Sequence, residues 1–209
     1  QLQAAFPGQC FATAALDLAS LRVSNQIFVD FLSELEQQLG EITAVWCCAA
    51  QILEAPIGKG MWSAQQALLQ VNVLGTFALI DAAAAFLSAK NYATQLAVVS
   101  SISAQIGMPK DGAYCASKAA LNVYLQSLQL EQASNSLLDV YILMPGYIHS
   151  RDKNLAHKPF AISAEKAADK MIRAVEKGRA RRFIPAWPWC LLPWLAPLLP
   201  NVLLQRLGN

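Results

Sequence analysis

Four short apolar runs, at residues 9–15, 42–50, 95–100 and 138–143, constrain this chain more than any other feature. Each is too short for a typical helix, and the stretches between them carry helical spacing of apolar residues. Ser24 is a candidate cap for a helix to about Leu39, where Gly40 stops the pattern. Ser63 opens a stretch rich in Ala and Leu to about Ser88, and residues 113–132 read as a strong helix. Ser163 with residues 166–177 makes a further amphipathic helix closed by Gly178, and residues 182–185 give a last short strand. Short strands alternating with helices predict an α/β fold: a doubly wound parallel sheet with right-handed crossovers. The uncharged run ITAVWCCAA at 42–50 reads as a central strand buried on both faces.

Composition removes several alternatives. With 55% hydrophobic and 14% charged residues in 209, the chain is no disordered polymer, and it is long enough to bury one core without disulfides or metal. Sixteen Lys and Arg against fourteen Asp and Glu, with no basic stripe, argue against nucleic acid as a partner. The five cysteines are odd in number and lack CxxC or Cys/His ligand spacing, so no metal site is expected. No leader-like segment opens the chain, which makes the cytoplasm the default setting. The opening QLQAAFPG reads as the last turns of a helix already in progress, so a further N-terminal piece is expected upstream of Gln1.

In doubly wound sheets ligands bind beyond the carboxyl ends of the strands. Those ends offer Asp17, the Cys47-Cys48-Ala49-Ala50 turn, Ser100-Ser101 and Pro145-Gly146. Tyr114 and Lys118 stand four apart, which puts both on one helical face. Ser101 lies thirteen residues before Tyr114, across a loop of Gly and Pro that can fold the helix start back beside it. Such a set makes chemical sense. A phenol is a poor proton donor or base at neutral pH, a neighbouring ammonium favours its ionised form, and a serine hydroxyl stabilises negative charge on a substrate oxygen. Plainer readings compete: Asn72 as a polar residue on a helix face, Asp17 as the cap of a turn, Cys115 as a small packing residue, His149 and His157 as surface histidines.

In order and spacing, Asp17, Ala49, Asn72 in Val-Asn-Val-Leu-Gly, Ser101, the Tyr-Cys-Ala-Ser-Lys run at 114–118 and Pro145-Gly146 with Ser150 resemble the short-chain dehydrogenase/reductase family. The resemblance implies a Rossmann-like fold and an oxidoreductase that moves hydride between NAD or NADP and a carbonyl or secondary alcohol. It assigns Tyr114 as acid/base, Lys118 to the nicotinamide ribose, Ser101 to the substrate and Asn72 to a relay water. Asp17 and Leu18 would contact the adenine, Ala49 would line the cofactor, and Pro145, Gly146, Ile148 and Ser150 would flank the nicotinamide amide. It also implies a homodimer or homotetramer through the helices holding Asn72 and Tyr114, acting on a small molecule. Two departures stand out. The family's TGxxxGxG turn and the strand that selects NAD or NADP do not occur in the 209 residues, and Cys-Cys-Ala-Ala replaces the usual Asn-Asn-Ala-Gly. These departures motivate a rival reading, a catalytically degenerate member serving as a binding or scaffold protein; an epimerase or dehydratase using the same Tyr and Lys is a third.

Residues 1–185 read as the Rossmann-like domain, with its first βαβ unit missing from the chain, and residues 186–209 as an apolar C-terminal segment. That segment holds Trp187, Trp189 and Trp194 among leucines, and prolines at 185, 188, 193, 197 and 200 deny it one long spanning helix. Three roles fit: a lid over the substrate, a subunit contact, or a peripheral membrane anchor with its indoles at headgroup depth.

Overall fold

Four parallel strands form the main sheet in the order β1 (Ala44–Cys47), β2 (Thr94–Val99), β3 (Leu138–Pro145) and β6 (Arg181–Ile184). A small parallel pair, β4 (Ile148–His149) and β5 (Ile162–Ser163), lies beside it. The structure is a computed structural model and describes residues 9–12, 15–19, 26–134, 137–149, 158 and 160–200. Its helices are α1 (Gln26–Leu39), α2 (Trp62–Leu69), α3 (Thr76–Ser88), α4 (Gly112–Glu131), α5 (Ala164–Glu176) and the short α6 (Leu192–Leu195). Between α2 and α3 the backbone widens into a π-helical turn, Gln70–Gly75.

Both faces of the sheet are used, and the strands show it residue by residue. Leu96 and Val98 of β2, with Leu138, Val140, Ile142 and Met144 of β3, face a core built with α1, α3 and α4. The alternate residues Ala97, Tyr141 and Leu143 face the opposite way, onto Ala167, Met171, Ala174 and Val175 of α5. Side chains alternate across a strand, so a strand covered on both faces must be apolar throughout. Ser163 starts α5, its hydroxyl accepting from the Lys166 amide at 3.3 Å, and Gly178, at φ 62°, ends it. The left-handed backbone there suits glycine, as the sequence pattern expected.

Two expectations fail. The run at 42–50 is not a central strand. Only Ala44–Cys47 is extended, with Ala44 and Trp46 exposed and only Cys47 buried. Among the described residues, β1 has no strand on its outer side and no helix over the face that carries Ala44 and Trp46, so those side chains meet solvent. Nor do the described residues of 9–15 form a strand; residues 9–12, 15 and 16 are exposed. A strand needs a neighbour for its ladder, and the described residues supply none there. The segment instead leads to Leu18, which packs on the π-helical turn. A Cβ at Gly75 would collide with the Leu18 carbonyl, so glycine permits that approach.

Candidate active site

Past the end of β2 the chain extends through Ser100 and Ser101 before a 3-10 turn at Ile102–Gln105. The Ser101 hydroxyl caps that turn by accepting from the Ser103 amide at 3.0 Å, which fixes the side chain at the strand end. The loop then returns to Gly112, so Tyr114 lies in the first turn of α4 and Lys118 one turn further on. Tyr114 and Ser101 line the same cleft, near enough that the Ser101 hydroxyl favours ionisation of the phenol. Lys118 is 3% exposed; its Nζ donates to the Val99 carbonyl at 3.1 Å and stands 5.9 Å from the centre of the Tyr114 ring.

These groups open onto one cleft of about 340 Å3. Cys48, Ala50 and Ile52 line it from the end of β1, Ser100 and Ser101 from β2, Tyr114 and Lys118 from α4, and Pro145, Gly146, Tyr147 and Ile148 from beyond β3. The volume falls in the range of small-molecule sites, about 300–1,000 Å3. Ser103 and Tyr147 also border a narrower apolar recess walled by Ile102, Ile106, Met108, Trp189 and Leu192. Trp189 is held there edge-on to Tyr147 (centroids 5.6 Å, 76°) and to Phe160 (6.0 Å, 87°). Gly146 accepts this ring only because it lacks a Cβ, which would collide with the indole. Gly146→Ala is therefore expected to displace Trp189 and to cost about 1–3 kcal/mol of stability, the usual cost of overpacking. Urea unfolding and Trp fluorescence check both effects.

Asn72 lies behind the cleft, buried at the centre of the π-helical turn. Its carboxamide grips the Gln51 backbone in both directions, accepting from the amide at 2.7 Å and donating to the carbonyl at 2.8 Å. It also donates to Ser117 Oγ at 3.4 Å, and that hydroxyl donates to the Tyr114 carbonyl at 2.7 Å. Asn72 thus ties the loop after β1 to the helix that carries the tyrosine. This side chain is committed within the protein, unlike a plain surface amide.

Electrostatics differ from the expectation that Lys118 holds the Tyr114 phenol down. Burial pushes the Tyr114 phenol up from its ordinary value; the Ser101 hydroxyl opposes the rise, while Cys115 and Asp111 add to it. Removing a charge from water outweighs a cation that is itself buried and anchored to Val99. Burial likewise lowers the Lys118 ammonium from 10.5 to about 8, against the opposing pull of Cys47 and Cys48. Burial drives Cys47 up to about 12 and raises Cys48, so neither is a ready thiolate.

The sequence candidates thus divide. Ser101, Tyr114, Lys118, Pro145, Gly146 and Ile148 share the cleft. Asn72 supports it from behind. Ala49 is exposed and outside the lining, although Cys48 and Ala50 on either side are within it. Asp17 and Leu18 are not in the lining either; the Asp17 carboxylate accepts from the Ala19 amide at 2.9 Å, the plain turn-capping geometry. Ser150 and His157 lie outside the described residues. Sequence reasoning did not single out Tyr147 or assign Trp189 to the recess. An aromatic directly after Pro145-Gly146 was the available signal for the first.

Residues 1–158 match the short chain dehydrogenase family. The chain belongs to that family. It is accordingly an NAD(P)-dependent dehydrogenase/reductase. An uncharacterised oxidoreductase of Mycobacterium tuberculosis is 27% identical over 208 residues, 99% of this chain and 80% of that protein. The hydroxysteroid 11-beta-dehydrogenase 1-like protein B of Xenopus laevis is 34% identical over 117 residues, 52% of this chain and 40% of its own length. Among solved structures, a short chain dehydrogenase from Burkholderia cenocepacia in complex with NADP is similar with a TM-score of 0.72 and 21% identity, over 90% of this chain and 81% of that one. Acetoin dehydrogenase YohF from Salmonella typhimurium is similar with a TM-score of 0.68 and 20% identity, over 82% and 72% of the two chains.

The described residues of this dehydrogenase fit the nicotinamide end of the cofactor. Lys118 shows one hydrogen bond from a group with three donor hydrogens, and the buried Ser100 hydroxyl beside it has no hydrogen-bond partner. Pro145 and Ile148 add apolar walls suited to a flat ring.

Proposed function

We propose that this chain interconverts a carbonyl and a secondary alcohol, with Tyr114 as the proton donor and acceptor. The observation that carries the reading is the convergence of Ser101, Tyr114 and Lys118 on one cleft, with Lys118 buried one turn along the helix that carries the tyrosine. Bound NAD or NADP supplies or accepts the hydride. In reduction, Ser101 and Tyr114 hold the substrate oxygen, and Tyr114 gives up its proton as negative charge gathers there. Lys118 binds the ribose hydroxyls with its remaining donor hydrogens. Asn72 keeps the Gln51 loop against α4, so that the cleft keeps its shape when a ligand enters.

The cleft favours an apolar body on the substrate, since Ala50, Ile52, Val99, Pro145 and Ile148 give it largely hydrocarbon walls. Carbonyls with a bulky apolar side are expected to be reduced in preference to short polar ones. Ile52→Ser is expected to raise KM for the apolar ketone by about tenfold and to change it little for a short one, as loss of apolar contact on one substrate alone requires. Following the loss of reduced nicotinamide over a ketone panel tests both statements; equal preference across the panel would refute the apolar reading.

The homo-oligomer we propose pairs the exposed sides of the α3 and α4 region, where Leu74 and Val123 stand in solvent. Sedimentation of a Val123→Glu variant tests it. The reducing cytoplasm suits a chain whose five cysteines are all free thiols.

A further inference from the structure

Five of the chain's sixteen Lys and Arg residues line one open recess of about 230 Å3, which shares no lining residue with the active-site cleft. Lys170 and Arg173 come from α5, Lys177 from the residue that caps its end, Arg179 from the turn after it and Arg182 from β6. Residues three and four apart share a helix face, which sets the first three together. Among the described residues, the only ion pair made by any of the five is that of Arg173 with Asp169, at 2.9 Å. Three of the five, Lys177, Arg179 and Arg182, already cluster in the run Lys-Gly-Arg-Ala-Arg-Arg at 177–182, and the fold adds Lys170 and Arg173 from the helix before it.

Pro185 and Ala186 close the recess, and the next residue begins the apolar tail. Trp189 and Ala196 are buried inward, but Trp187 is 67% exposed, Trp194 78% and Leu198 79%, with Leu191 and Leu195 also open. We propose that this basic recess and the adjoining tail form one docking face for the surface of an anionic phospholipid bilayer.

Charge and apolarity each answer to a different layer of such a surface. Lysines and arginines within a Debye length, about 8 Å at physiological salt, attract anionic headgroups. Exposed indoles prefer headgroup depth, and leucines on short proline-broken helices reach the acyl boundary without spanning it. The one described helix long and apolar enough to cross a bilayer, residues 62–88, is instead more than half buried in the fold. A second copy is a poorer occupant, because a two-fold contact across this face sets cationic recess against cationic recess. Nucleic acid would satisfy the charges but gives the exposed leucines nothing to bury against. Docking is independent of the hydride-transfer reading.

Co-sedimentation of the protein with vesicles tests the proposal. One set is pure phosphatidylcholine, the other equal parts phosphatidylcholine and phosphatidylglycerol. Binding to the anionic set is expected to be at least about tenfold stronger at low salt and to weaken as salt rises. Charge reversal in Lys170→Glu/Lys177→Glu/Arg179→Glu should abolish that preference. Trp187→Ser/Trp194→Ser should weaken binding at any salt. All five positions are exposed, and circular dichroism confirms that the variants fold. Equal binding to the two vesicle sets, or an undiminished preference in the charge-reversed variant, overturns the proposal. So does absence of vesicle binding, whether or not the tail then supports dimers in buffer or binding to a single-stranded oligonucleotide.

Discussion

Carbonyl reduction by the Tyr114→Phe variant is expected to fall by at least about a hundredfold, because phenylalanine keeps the ring but has no proton to give. The hydroxyl's structural role is small: at most it makes one bond to Ser101, which is already held by the Ser103 amide. Loss of one such bond costs about 1 kcal/mol, so the urea midpoint should move little while turnover collapses. Steady-state rates on any ketone the parent accepts, measured beside an unfolding curve, separate the two effects. A variant with near-parental turnover would remove Tyr114 from the chemistry.

Lys118→Met should make the protein more stable at neutral pH while lowering its activity. The folded chain holds the ammonium at about 8, whereas the unfolded chain keeps the ordinary 10.5. Between those values the unfolded state binds more protons, so stability of the parent rises with pH across the window. Below about 8 both states are charged and the full penalty for burying the cation is present, about 3 kcal/mol. Methionine removes that penalty and forfeits the hydrogen bond to Val99, worth about 1 kcal/mol. A net gain of about 2 kcal/mol at pH 7 is expected, shrinking to nothing or reversing as the pH passes about 10.5. Urea unfolding of both proteins at a series of pH values gives the result, and a variant less stable than its parent at neutral pH contradicts it.

Residues that act through local spacing are legible in the sequence itself. Tyr114 and Lys118 sit together because of helix geometry alone, and the mostly apolar strands β2 and β3 announce a sheet covered on both sides. The position of β1 is not legible, since an apolar run reads the same in the middle of a sheet as at its edge. What differs is the neighbour, and neighbours are nonlocal. Trp46 is exposed for that reason. Trp189 illustrates the same limit: its place against Tyr147 and Phe160 depends on Gly146, more than forty residues earlier, leaving room for an indole.

The π-helical turn at Gln70–Gly75 has a consequence for how this chain tolerates insertions and deletions. A π turn holds one residue more than an α turn, so it acts as a phase shifter within an otherwise continuous rod. Each residue advances an α-helix by about 100°. On one side of the turn, α2 aims Gln65 at the Ala55 carbonyl, 3.0 Å away; on the other, α3 seats Leu79, Ile80, Ala83 and Leu87 in the core. Straightening the turn into regular α-helix with every residue kept would rotate one half by about 100° relative to the other and swing Asn72 off Gln51, whereas deleting one residue would restore regular helix with the two halves facing much as they do now. The irregular turn lets the two halves of a 27-residue helix answer to different partners while absorbing one extra residue between them.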